Sequence, residues 1–105
     1  METRVISGKT IEIDTDGNLA DHTVWDENIA LELAKELGID ELTDGHKKVI
    51  HYLRDEYKSS GEIPTMRKIG KKSGVDMKEL YKLFPDGPLK KAAKISGLPK
   101  PKSCV

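Results

Sequence analysis

The sequence predicts an α+β fold, mostly helical, with a short N-terminal antiparallel β meander packed on about five helices and an extended, flexible C-terminal arm. Three observations carry this expectation. Apolar and acidic residues alternate over Ile11–Asp14, apolar residues recur at four-residue steps from Ile29, and two prolines stand at Pro99 and Pro101. The first is a strand period, the second a helix period, and the third forbids further helix. At 105 residues the chain is long enough for one core and too short for two comfortable ones. The expected organisation is one globular domain over 1–97, with the meander at 1–20 and helices at 26–97, followed by an arm at 98–105.

Val5 and Ile6 precede a Ser7-Gly8-Lys9 turn, and Ile11 and Ile13 form the apolar face of the returning strand. Asp16-Gly17 marks a second turn, after which Leu19 begins a third short extended piece. A first helix starts near Trp25-Asp26-Glu27, carries Ile29, Leu33 and Leu37, and stops at Gly38. Trp25 is expected to anchor the sheet–helix junction. Thr43 or Asp44 caps a second helix with the stripe His46, Val49, Ile50, Leu53 and Tyr57, ending at Ser59-Ser60-Gly61 before Pro64. Thr65 caps a third helix with Met66 and Ile69. Asp76 and Glu79 open a fourth after Gly74, in the manner of a capping box, with Leu80, Leu83 and Phe84 following. Pro88 suits the first position of a fifth helix, which runs through Ala92, Ala93 and Ile95 to Gly97.

Composition narrows the class. Hydrophobic residues make up 36% and charged residues 34%, and no apolar run approaches the roughly 20 residues a membrane-spanning helix needs. The start, Met1-Glu-Thr-Arg-Val, lacks the basic and apolar stretches of a secretory signal. With a single cysteine there is no internal disulfide framework, and a cytoplasmic location is expected. The formal net charge of zero conceals a split. Residues 1–64 hold 7 Lys and Arg against 15 Asp and Glu, a net −8, whereas residues 65–105 hold 11 against 3, a net +8. Either the two halves neutralise each other in the fold, or the basic half meets an anionic partner such as RNA or an acidic protein surface.

Few catalytic constellations can be assembled. His22, His46 and His51 are scattered, no ligands stand at zinc spacings, and Ser7-Gly8-Lys9-Thr10 lacks the upstream glycine of a phosphate loop. No metal and no cofactor is expected. Core or surface roles are expected for His46 and His51. Cys104 differs because of its place. One residue from the end of the sequence, beyond Pro99-Lys100-Pro101-Lys102, it is too exposed for core filler. Eight Pro-stiffened residues reach roughly 25 Å at about 3.1 Å per residue, so such an arm can enter a partner's active site. Lys100 and Lys102 place positive charge near the sulfur, which favours the nucleophilic thiolate. Its attack on a sulfur donor yields a persulfide whose outer sulfur can be passed on. The competing reading is an incidental cysteine in a frayed tail.

The string Phe84-Pro-Asp-Gly-Pro88, followed by Lys90-Lys-Ala-Ala-Lys-Ile-Ser-Gly-Leu-Pro-Lys-Pro-Lys-Ser-Cys-Val105, resembles the C-terminal signature of the DsrC/TusE family. Ile13-Asp-Thr-Asp-Gly17, Trp25-Asp-Glu27, Tyr52-Leu-Arg-Asp55 and Pro64-Thr-Met-Arg67 fall in that family's order, so the resemblance covers nearly the whole chain. It implies a sulfur carrier, of the kind linked to dissimilatory sulfite reductase or to tRNA thiolation, that shuttles persulfide on Cys104. It also implies sulfur-donor and sulfur-acceptor proteins as partners, weak tRNA contact, and a monomer that is a carrier rather than a stand-alone enzyme. Arg67, Lys94, Lys100 and Lys102 are the residues expected around the persulfide or a partner. The sulfite-reductase branch has a second cysteine eleven residues earlier, where this chain has Ala93, so a one-cysteine relay is the better fit. Lys102-Ser103 replaces a Thr-Gly frequent before the family's cysteine, and Lys47 stands where an aromatic residue often follows His46, which would remove a core aromatic.

The stretch Met66–Phe84 supports an alternative, a helix-turn-helix regulator of nucleic acid over residues 65–84, with Lys78, Tyr81 and Lys82 on the recognition helix. Against it, that helix has no Asn, Gln or Arg to read base edges.

Overall fold

In the computed structural model, which describes residues 2–102, a two-stranded hairpin leads into five helices. Strands β1 (Glu2–Ile6) and β2 (Lys9–Ile13) pair antiparallel, with Ile6 opposite Lys9. Ser7 and Gly8 turn the hairpin at φ 54° and 78°. Positive φ at both central residues matches the right-handed twist of the flanking strands. Ile6, Ile11 and Ile13 are buried while Val5 is exposed, as a period of two requires. The third extended piece is a single bridge, Ile13 to Leu19.

Helices α1 (Glu27–Glu36), α2 (Asp44–Ser60), α3 (Met66–Lys72), α4 (Met77–Leu83) and α5 (Pro88–Ile95) follow. Asp26, Thr43, Thr65 and Asp76 each accept a backbone N–H of the first turn, satisfying donors that no helical carbonyl can reach. His46 completes a capping box at α2. The Thr43 N–H donates to its Nδ1, so the ring proton sits on Nε2 and donates to the Leu83 carbonyl at 2.8 Å. With its ring edge-on to Phe84, His46 is a core residue joining α2 to the end of α4. Exposed His51 lies 3.7 Å from Glu27.

One cluster of buried residues runs from Ile6 to Leu98 and includes apolar positions from both strands and all five helices. Position 47 departs from expectation. Lys47 is exposed and lines an open groove between α1 and α2, so an aromatic side chain there would lie in that groove rather than in the core.

Candidate functional site at the root of the arm

Helix α5 ends in a way that sets the direction of everything after it. Gly97 takes φ 72°, its N–H donates to the Lys94 carbonyl, and the Leu98 N–H donates back to the Ala93 carbonyl at 3.0 Å. These paired bonds define a Schellman close, in which the residue after glycine folds back on the helix. Leu98 is thereby carried into the core and is 0% exposed.

Three side-chain donors from distant parts of the chain then hold carbonyls on either side of Gly97. Trp25 Nε1 donates to Ile95 at 2.7 Å, Arg54 Nη1 donates to Ser96 at 2.9 Å, and Asn18 Nδ2 donates to Leu98 at 3.0 Å. Asn18 is aimed by the Asp14–Asn18 turn, where the Asp14 carboxylate accepts the N–H groups of Asp16 and Asn18. Arg54 also donates through Nη2 to the His22 carbonyl and lies 4.2 Å from the Trp25 ring centroid. Burial holds this guanidinium below its usual pKa, with Asp55 opposing the shift. Among the described residues it is a buried cation balanced by carbonyl dipoles and an aromatic face rather than by a paired carboxylate. Trp25 therefore serves the end of α5 as well as the start of α1. A Cβ placed on Gly97 would sit 2.6 Å from Trp25 Cδ1, so only glycine admits the indole.

Over residues 99–102 the backbone forms no helix or strand, and it lies on the body: Pro99 is half-buried and Pro101 is buried. Leu98 and Pro101 are both buried, so a 25 Å reach counted from Leu98 overstates the length of chain free of the body. The segment runs between two clefts. One, of about 420 Å³, is lined by Tyr57, Ile63, Pro64, Leu89 and the arm. The other, of about 230 Å³, gathers Lys90, Lys91, Lys94 and Lys100 around Asp16. Lys94 and Lys100 are thus brought together, and Lys102 lines the larger cleft with Lys100. Exposed Arg67 stands apart on α3 and lines neither. Cys104 lies outside the described residues. Ala93, where a second thiol would stand, is 0% exposed. Lys78, Tyr81 and Lys82 are exposed on α4.

Sequence reading missed Asn18 and Arg54 as holders of the arm. Gly97-Leu98 carried a signal for the burial of Leu98, because glycine plus an aliphatic residue after a helix is the Schellman pattern. Among the described residues, no three His, Cys, Asp or Glu side chains are grouped to hold a metal ion, and no helix is long and apolar enough to cross a membrane.

The architecture is thus an α+β core whose C-terminal segment is held at its root by side chains from three distant stretches of the chain. The profile of the family described as "DsrC like protein" matches residues 5–105, and the chain belongs to that family. It is 41% identical over 98 residues to "Sulfite reductase, dissimilatory-type subunit gamma" of Nitratidesulfovibrio vulgaris Hildenborough, covering 93% of each chain. It is 42% identical over 109 residues to "Sulfurtransferase TusE" of Photorhabdus laumondii subsp. laumondii, covering 96% of each. The crystal structure of the oxidized gamma-subunit of dissimilatory sulfite reductase (DsrC) from Archaeoglobus fulgidus superposes with a TM-score of 0.80 at 39% identity, covering 99% of this chain and 100% of that one.

Proposed function

We propose that this chain is a sulfur-relay protein that accepts and donates persulfide sulfur on Cys104, exchanging it with proteins of tRNA thiolation or of sulfite reductase-linked sulfur metabolism. The observation that carries this reading is the family match continuing through residue 105, over a chain whose one thiol stands at residue 104. The root geometry supports it, because three side-chain hydrogen bonds hold the segment that leads to that thiol.

In the loading step the Cys104 thiolate attacks the outer sulfur of a donor persulfide. The new S–S bond forms as the donor thiolate leaves, and no external oxidant is consumed. The second step repeats the exchange on an acceptor. With a single cysteine the chain cannot release its sulfur by closing an internal disulfide. A relay therefore fits better than a two-cysteine redox cycle, and the protein acts as a carrier within a sulfurtransferase system.

The test is to incubate the protein with a cysteine desulfurase and cysteine and read intact mass. One added sulfur, about 32 Da, is expected on wild type and not on Cys104→Ser. Equal loading of the variant would remove the carrier reading. The nucleic-acid alternative has one observation in its favour, the exposed Lys78, Tyr81 and Lys82 at helical spacing on α4. It requires duplex binding with a sequence preference that survives raised salt.

A further inference from the structure

The zero net charge has a spatial resolution. Of the eleven Lys and Arg in residues 65–105, only Lys68 lies within 4.0 Å of a carboxylate among the described residues, bonded to Glu56 at 2.6 Å. The basic half is therefore not neutralised by ion pairs with the acidic half, and ten cations face outward or line clefts. Four of them, Lys90, Lys91, Lys94 and Lys100, converge on the 230 Å³ cleft beside the arm, where Asp16 is the one carboxylate, for a local net of +3. Amphipathicity of α5 creates the cluster: Leu89, Ala92, Ala93 and Ile95 are buried, which leaves Lys90, Lys91 and Lys94 on the outer side. Like charges at positions 90 and 94, four apart on a helix, oppose its formation, and Asp16 is the one carboxylate among the described residues lining the cleft with them.

We propose that this lysine cleft is a docking surface for an acidic patch on the proteins that exchange sulfur with Cys104. The inference rests on the carrier reading and deepens it. Pro101 lines the cleft, and three residues of chain span at most about 11 Å, so covalent geometry alone keeps position 104 within reach of its edge. An acidic surface docked there lies within roughly one Debye length of the reacting sulfur. Donor and acceptor must each approach the same arm and leave again, and charge steering gives that fast, reversible encounter. An RNA partner fits less well, because the cleft offers no arginine for bidentate phosphate contact and no aromatic ring for base stacking.

The test uses thiol–disulfide exchange, which needs no persulfide chemistry and so fails or succeeds separately from the carrier reading. The Cys104 thiolate attacks a symmetrical peptide disulfide, forms a mixed disulfide and expels one peptide thiolate, whose release is followed. Two peptides of equal length are compared, one with four glutamates beside the cysteine and one with four serines. Wild type should react about tenfold faster with the acidic peptide at low salt, and the ratio should approach one in about 0.5 M salt. The double variant K90E/K100E should lose most of that preference, and K71E/K72E, with the same charge change on α3, should keep it. The ratio between peptides cancels any change in intrinsic thiol reactivity, and thermal melts confirm folding. A wild-type ratio near one, or equal loss in both double variants, overturns the proposal. So does an RNA oligonucleotide that inhibits exchange at lower charge-equivalent concentration than a cysteine-free Glu peptide.

Discussion

Helices α1 and α5 close with the same local device and are used differently. Each places glycine in the left-handed region, Gly38 at φ 85° and Gly97 at φ 72°, and each returns the next residue's N–H to the helix while burying an aliphatic side chain, Ile39 or Leu98. At Gly38 a Cβ would meet nothing within 4 Å, whereas at Gly97 it would strike Trp25. Around Gly97, carbonyls 95, 96 and 98 are each held by a side chain from elsewhere. The same backbone motif thus ends a helix in one place and, in the other, holds the base of the cysteine-bearing segment. What distinguishes the two is long-range polar pinning.

Arg54→Met should give the largest effect. It leaves the buried Ser96 carbonyl without a donor, leaves the His22 carbonyl with only the Trp25 N–H, and removes the cation from the Trp25 face, and a loss of about 3 kcal/mol in urea melts is expected. Arg54→Lys should recover little, since an ammonium cannot fork between Ser96 and His22 as the guanidinium does. Gly97→Ala comes next, at about 2–3 kcal/mol, against about 1 kcal/mol for Gly38→Ala, which has the same φ constraint and no neighbour to strike. Equal losses at the two glycines would show that Trp25 does not pack on α5 as described. Trp25→Phe keeps most of the ring and deletes the bond to Ile95, and about 1 kcal/mol is expected.

Asp26 gives the smallest and most specific effect. The hydrogen bond from Lys9, together with the capped Ile29 N–H, holds its carboxyl below the ordinary carboxylate value. A depressed folded pKa means that this stabilisation is present above the unfolded value of about 3.9 and is lost as pH falls through the folded one. Asp26→Asn should therefore lower stability modestly at pH 7, converge with wild type as pH falls through the folded pKa, and so flatten the acid limb of stability against pH.

Most of the fold was legible because it is local. Thr43, Thr65 and Asp76 are caps written beside the apolar runs they start, and Gly38, Gly61 and Gly97 are stops written at their ends. The site was legible only where a local pattern reached it. Arg54 bonds a carbonyl 42 positions away and Asn18 one 80 positions away. No periodicity encodes such pairs. Arg54 reads as a charge on a solvated helix, yet it is 8% exposed because its fork reaches inward to carbonyls that helix geometry leaves free. Leu98 was assigned to the arm because of the prolines behind it, although the glycine before it directs it into the core. The charge split was legible as a count; that the basic half pairs with a carboxylate only through Lys68 among the described residues needed coordinates.

The central claim is that sulfur passes through Cys104 from one protein to another. The direct measurement is a chase of protein loaded with ³⁵S on Cys104, mixed without reductant with purified sulfite reductase or with the tRNA-thiolating enzyme. Label should leave Cys104 and appear on the acceptor protein, and the acceptor that takes it identifies the pathway. Label that stays on Cys104 with both acceptors, or that is released only as free sulfide, would contradict the relay.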